Sequence, residues 1–105
     1  MKRLAFAAAA LILLPAAAEA GKARCFTTDD GYFDCNFKSL DRKGSFRISS
    51  PGLPSVSILI EEPGFGFGFV EIGGRNIPIG GMFVRQRDDA ACWSNPDVQV
   101  KICAW

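Results

Sequence analysis

The chain has 105 residues, of which 49% are hydrophobic and 22% charged, and it contains no histidine. The absence of histidine removes the commonest general base near neutral pH, the usual metal ligand and the imidazole of nucleophilic triads. The formal net charge is +1, and a nearly neutral chain without a basic run lacks the charge pattern that binds nucleic acid or an anionic membrane surface. We therefore expect no nucleic-acid partner.

Residues 1–20 are typical of a bacterial secretory signal peptide. Two basic residues precede an almost wholly apolar stretch over residues 4–14, and Ala18 and Ala20 form the small-x-small site of a signal peptidase. We expect cleavage after Ala20, which leaves residues 21–105 as a single disulfide-stabilised β domain, periplasmic or secreted. The apolar stretch is shorter than the roughly 20 residues that cross a bilayer. No membrane insertion is expected after cleavage.

Alternation of apolar and polar residues predicts short strands in the rest of the chain. The alternation is clear over residues 33–37, 45–49 and 98–102. Such a period of two is typical of half-buried strands. Residues 56–60 are a continuous apolar and β-branched run that predicts a more central strand, and residues 82–86 are a weaker candidate. Turns rich in Gly, Pro, Asp and Asn separate these segments. We predict an all-β fold, a small antiparallel meander closed into a sandwich or a barrel.

The cysteines all lie outside the predicted signal peptide, at Cys25, Cys35, Cys92 and Cys103. In small exported domains such residues form disulfides that supplement a small core. We predict the pairs Cys25–Cys35 and Cys92–Cys103. The alternative pairing, Cys25–Cys103 with Cys35–Cys92, would tie the two ends of the domain together. In either case the four thiols are structural.

The preferred pairing follows from a predicted hairpin. If residues 29–31 form a three-residue loop with Gly31 in the left-handed conformation, Cys25 lies directly opposite Cys35 on the neighbouring strand. Opposite residues at a non-hydrogen-bonded site are close enough for a disulfide. The second pair follows by elimination. A tight turn over residues 95–98 leaves its two cysteines out of register unless a bulge or a longer loop intervenes.

Residues 63–74 contain an aromatic and glycine repeat. In an extended chain Phe65, Phe67 and Phe69 lie on one face, and the glycines between them leave the other face bare. We expect the three rings to form the floor of the core, because a small domain has few other bulky residues. The alternative is that the bare face, or an exposed aromatic face, binds a peptide strand or an apolar ligand.

The charged residues offer weaker candidates. Arg85 and Arg87 would share one face of a strand, where two guanidinium groups can bind an anion; pairing with the acids that follow is the simpler interpretation. Three acidic pairs occur, at Asp29-Asp30, Glu61-Glu62 and Asp88-Asp89. We expect them to be solvated, because exposed acids are the norm and adjacent residues on a strand point to opposite faces. No catalytic residue, metal site or cofactor is predicted.

Export, small size, neutral charge and the lack of catalytic groups favour a non-enzymatic β domain. We expect it to bind a protein of the cell envelope, for example as an inhibitor of a hydrolase. One alternative is a small carboxylate-dependent hydrolase acting on envelope sugars or peptides, and another is a secreted toxin or effector. The candidate binding surface comprises Phe65, Phe67, Phe69, Arg85 and Arg87.

Overall fold

The computed structural model describes residues 20–105, which form nine antiparallel β-strands. They are β1 (Ala20–Thr27), β2 (Gly31–Ser39), β3 (Phe46–Ser50), β4 (Leu53–Glu62), β5 (Phe65–Ile72), β6 (Arg75–Pro78), β7 (Phe83–Arg85), β8 (Cys92–Asn95) and β9 (Val100–Ala104). The predicted all-β fold is confirmed. Apart from Ala20, where β1 begins, the predicted signal peptide lies outside the described residues. In the described part of the chain, no helix is long and apolar enough to cross a membrane.

Eight of the strands close into a barrel. Their order is β4, β3, β2, β1, β9, β8, β7 and β5, and the additional pairing of β4 with β5 closes the circle. The ninth strand, β6, pairs with the second half of β5, whereas β7 pairs with its first half. Closure pairs the two edges of the sheet with each other, which is how small antiparallel folds protect their edge strands. The fold is therefore a barrel rather than a sandwich.

Alternate residues of the eight barrel strands point inward and form the core. Cys25, Ile48, Ile58, Phe83 and Trp93 lie at the centre, and none is more than 2% exposed. Burial of an apolar side chain of this size stabilises a fold by about 1.5–3 kcal/mol. Because the largest rings come from the short strands β7 and β8, the longer strands need smaller side chains where they pass these rings.

This packing overturns the expectation that the aromatic repeat of β5 forms the core floor. Gly66 and Gly68 face the interior, whereas Phe65 and Phe67 point outward and are each 39% exposed. A Cβ atom at position 66 would lie 2.7 Å from the backbone oxygen of a β4 residue, and one at position 68 would overlap the ring of Phe83. The glycines are thus required by close approach in the core, and the phenylalanines occupy the opposite face.

Both predicted disulfides are confirmed. Cys25–Cys35 lies inside the barrel, and Cys92–Cys103 joins directly opposed residues of β8 and β9 whose Cα atoms are 4.0 Å apart. The second pair is in register because a four-residue loop, residues 96–99, separates the two strands. The last residue of this loop, Gln99, has a φ of 57°. A longer loop, rather than a bulge, therefore resolves the mismatch of the predicted turn.

The register of the first hairpin differs from the prediction. Thr27, not Thr28, begins the turn and pairs with Gly31, so Cys25 lies opposite Phe33. The Thr27 hydroxyl accepts a hydrogen bond from the backbone N–H of Asp30 at 3.1 Å, which stabilises the earlier turn. Because the partner of Cys25 moves by two residues, the side chains keep their faces. The disulfide consequently spans a diagonal, with 5.9 Å between the Cα atoms.

Candidate functional site

An apolar surface lies on the outside of the barrel across β4, β5 and β7. We call it the outer patch; it consists of Leu59, Phe65, Phe67 and Val84. Leu59 pairs with Phe67, and Phe65 pairs with Val84, so the four side chains are neighbours on one face of the sheet. Each is between 39% and 41% exposed. A contiguous exposed apolar surface of this kind is typical of an interaction site.

The third phenylalanine of the repeat is not part of this exposed surface. Phe69 is half-buried and lies between Ser57 of β4 and Pro78 of β6. The extra strand β6 therefore limits the outer patch to the first half of β5. At its other end the patch borders Glu61, which follows Leu59 on the outward face of β4 and is exposed.

The structure does not bring the two candidate arginines together. β7 ends at Arg85, and the guanidinium of Arg85 lies 4.7 Å from the centre of the Trp93 ring, in a cation–π contact at the end of the barrel. Arg87 is exposed in the following loop. In residues 20–105, ion pairs join Arg24 to Asp34 and Arg47 to Glu71. The expected pairing of Arg85 and Arg87 with neighbouring acids is wrong.

Those neighbouring acids have other partners. Asp88 accepts a hydrogen bond from the side-chain amide of Gln86 at 2.9 Å, and this bond is the main reason that the pKa of Asp88 is lowered. Asp89 accepts a bond from the indole N–H of Trp105 at 3.0 Å and another from the backbone of Ala91. The pair therefore organises the loop between β7 and β8 and holds the last residue of the chain against the barrel.

The remaining acidic pairs do not converge. Glu61 and Glu62 are exposed at one end of the barrel, where they line a recess of about 450 Å³ with Lys43 and Arg85. Asp29 and Asp30 lie in the β1–β2 turn at the opposite end. Across the described residues, no group of three or more Cys, Asp or Glu side chains is placed to hold a metal ion. The acids thus lie as separate pairs on the surface.

The end of the barrel next to the β1–β2 turn contains a pocket that the sequence did not predict. Its volume is about 360 Å³, and we call it the mouth pocket. The lining residues include Val56, Val70, Val100 and Ile102, which occupy inward positions on three different strands. The alternation of apolar residues over residues 98–102 predicted one face for Val100 and Ile102, but it did not identify Val56 or Val70 as inward, and nothing in the sequence placed these residues around one space.

No protein family, no curated protein and no solved structure matches this chain. Its function must therefore be inferred from its own side chains. Among the described residues, the outer patch and the mouth pocket both offer apolar surface for binding. The outer patch contains Phe65 and Phe67 from the candidate binding surface, together with Leu59 and Val84, which the sequence reasoning missed. Their outward positions depend on the glycines of β5 facing inward, which becomes evident only when the core is known.

Proposed function

We propose that this chain is a non-enzymatic protein-binding module that acts in the periplasm or outside the cell, and that the outer patch contacts its partner. Two disulfides support an oxidising compartment, because disulfides of this kind persist there and are rare in the cytosol. The predicted signal peptide supports export. A small β-barrel with two disulfides is also rigid, so less conformational entropy is lost when a partner binds.

The observation that carries this proposal is the exposure of Phe65 and Phe67 beside Leu59 and Val84. The fold does not need these rings for its core, because the inward positions next to them are glycines: Gly66 packs against Ile58 and Gly68 against Phe83. Aromatic side chains in the centre of an apolar surface are the residues that most often dominate the energy of a protein interface. The outer patch has this composition and lies on paired strands rather than on a loop.

The surroundings of the outer patch indicate the chemistry of the partner. Glu61 lies at its border and is exposed, and Glu62 is next to it and pairs with Phe65. The complementary surface would hold an apolar recess for one or both phenylalanine rings, with basic residues facing Glu61 and Glu62 and acidic residues facing the neighbouring Lys43 and Arg85. Charges at a rim mainly affect the rate of association and its dependence on salt. We therefore expect the complex to form more slowly at high ionic strength.

The experiment compares capture of a partner by the wild-type protein and two single variants. The variant Phe67→Ser removes the centre of the outer patch, and Tyr32→Ser removes a more exposed aromatic residue on β2, away from the patch. Each oxidised, tagged protein is incubated with an extract of the compartment to which the chain is exported. The captured protein is identified, purified and titrated against each variant.

We expect Phe67→Ser to weaken binding of the purified partner by a factor of about 30 or more, the effect of losing an interface residue worth at least 2 kcal/mol. Tyr32→Ser should bind within a factor of about three of wild type, a difference of under 1 kcal/mol. Equal binding by Phe67→Ser and wild type would contradict the proposal. If wild type instead formed a dimer in sedimentation velocity and Phe67→Ser were monomeric, the patch would be a self-association surface.

A further inference from the structure

The mouth pocket is a recess on the inside of the barrel, and it shares no residue with the outer patch. Its deepest residues are Thr27 and Ile102, which are 6% and 1% exposed. Val56, Val70 and Val100 form its sides, and Ile79, from the connection between β6 and β7, covers part of it. All of these side chains come from strands or segments that the backbone hydrogen bonds hold in place, so the pocket is formed before a ligand arrives.

The pocket exists because the two halves of the barrel are filled differently. Phe46, Phe83 and Trp93 fill the centre and the far end. The inward positions near the mouth carry valine and isoleucine, whose side chains are too short to meet across a barrel. Protein interiors hold few voids larger than a water molecule. The volume of about 360 Å³ at the mouth falls within the range of ligand sites, roughly 300–1,000 Å³. The recess beside Glu61 and Glu62 has a similar volume, so it is the apolar lining that distinguishes the mouth pocket.

The size and the lining define the apolar part of the ligand. A dry cavity of about 150 Å³ lined by aliphatic and aromatic residues binds benzene, which has six carbon atoms. Part of the 360 Å³ of the mouth pocket lies at its polar rim, so its apolar part has room for a body of roughly eight to ten carbon atoms. Seven of the eleven lining residues are Pro, Val or Ile. The polar side chain at depth, Thr27, already donates its hydroxyl to the Asp30 carboxylate and accepts from the Asp30 backbone N–H, so the inner part of the ligand must be apolar.

The rim of the mouth pocket defines the polar part of the ligand. Thr28, Asp29 and Asp30 of the β1–β2 turn are its polar residues, and none of the eleven lining residues is basic. The Thr27 hydroxyl lies 3.3 Å from a carboxylate oxygen of Asp30, which fixes that carboxylate at the entrance. The nearby Lys101 directs its ammonium group over the Phe26 ring on the outer face, 5.8 Å from its centre. The entrance therefore attracts positive charge.

We propose that the mouth pocket binds a small amphiphile with an apolar body of about eight to ten carbons and a protonated amine as its head. The apolar body occupies the space between Val56, Val70 and Val100. The ammonium group stays at the water-exposed rim beside Asp29 and Asp30, where it keeps much of its hydration. Binding at this end of the barrel leaves the outer patch free.

The test uses three probes of eight carbon atoms each that differ in the head group: octylamine, octanol and octanoate. At pH 7 the amine is protonated, because alkylamines resemble lysine, with a pKa of about 10.4, and the carboxylate is ionised. Each probe is titrated into the disulfide-bonded protein and followed by amide chemical shifts. We expect saturable binding with shifts at residues 27–31 and 100–102, and a dissociation constant for octylamine about tenfold below that for octanoate.

Two sets of variants separate the pocket from its charge. Val100→Phe, and independently Val70→Phe, should fill the pocket and weaken all three probes about tenfold or more, with folding verified by the amide spectrum. Replacing both rim acids by Asn, at Asp29 and Asp30, should reduce the preference for octylamine over octanoate to about twofold. The matched control replaces Glu61 and Glu62 by Gln at the far end of the barrel; it has the same net charge change and should keep the preference.

Several outcomes would overturn the proposal. One is the absence of saturable binding for all three probes up to about millimolar concentration. Another is binding that both pocket-filling variants leave unchanged, or that Phe67→Ser removes, since the probes would then occupy the outer patch. Equal or tighter binding of octanoate would refute the cationic head group. A failure of the protein-partner experiment leaves this test unaffected, because the two experiments depend on different residues.

Discussion

Replacement of Gly68 by Ala tests whether the glycines of β5 face a filled interior. The new Cβ atom would overlap the ring of Phe83, at 3.0 Å from its Cδ1 atom, and would lie 3.1 Å from Cδ1 of Ile79. Phe83 is fully buried, so its ring has no open space into which to turn. The variant must therefore move the ring or the backbone of β5.

The magnitude follows from two opposing effects. Overpacking of a well-filled core costs about 1–3 kcal/mol. Replacing Gly by Ala limits the unfolded chain and returns about 0.4–1 kcal/mol. The net change for Gly68→Ala is a loss of about 1–2 kcal/mol of unfolding free energy, or a fall in Tm of roughly 5–15 °C for a domain of this size.

The assay is urea unfolding of the oxidised protein, with Gly21→Ala as the matched control. An added Cβ at position 21 meets no atom within 4 Å, so its unfolding free energy should stay within about 0.5 kcal/mol of wild type. A double-mutant cycle with Phe83→Leu should recover about 1 kcal/mol of the loss, because the smaller side chain leaves room. Equal stability of the Gly68→Ala and Gly21→Ala variants, or an uncoupled cycle, would refute the inward orientation of β5.

Three further predictions concern stability. Removing either disulfide by paired Cys→Ala changes should cost about 3 kcal/mol in urea unfolding, since the bridges close loops of similar length, with separations of 10 and 11 residues; a loss below about 1 kcal/mol would contradict this estimate. Hydrogen bonds, chiefly from the Ser45 side chain, lower the pKa of Asp41 below its ordinary value of 3.8. The ionised carboxylate therefore stabilises the fold above pH 3.8, and this stabilisation is lost as the pH falls through the lowered pKa. The unfolding free energy of Asp41→Asn, measured against pH, should lack this loss in acid; the same pH dependence as wild type would refute the reasoning. Deleting Trp105 removes its bond to Asp89 and its stacking on Tyr32, and should lower Tm by about 4–8 °C in a thermal melt, the effect of roughly 1 kcal/mol; an unchanged Tm would exclude a stabilising role.

The sequence predicted the parts of the fold that depend on local periodicity. The strands around Cys35, Ile48 and Ile102 alternate as the structure does, and their inward residues lie in the core or beside it. The cysteine pairs were also predicted, the first from a hairpin and the second by elimination, and both are confirmed. The exact register of the first hairpin was not predictable, since it depends on the hydrogen bond from the backbone N–H of Asp30 to the Thr27 hydroxyl within the turn. The signal peptide and the periplasmic or secreted location stay predictions.

The sequence did not predict the length of the β8–β9 loop or the orientation of the aromatic repeat of β5, and the reasons differ. The β8–β9 loop places Gln99, rather than Gly or Asn, in the left-handed conformation, so its length had no sequence signature. In β5 a period of two separates the residues into two faces but does not say which face is inward. That choice depends on Phe83 and Trp93, which fill the barrel from short strands that local patterns indicate only weakly.

No local sequence pattern predicts the mouth pocket, because the pocket is the space that its lining side chains leave empty. Val56, Val70 and Val100 are distant in sequence, and each is an ordinary inward strand residue on its own. A larger side chain at one of these positions would bury more apolar surface, at about 25 cal/mol per Å², in a domain whose small core is supplemented by two disulfides. Substitutions that fill the volume would readily stabilise such a domain. An empty volume of this kind is typical of the trade-off between stability and ligand binding. The same reasoning applies to the outer patch, where Phe65 and Phe67 are each 39% exposed while the inward positions next to them, 66 and 68, are glycines. Both proposed binding sites thus lie where the folding of the barrel gains least.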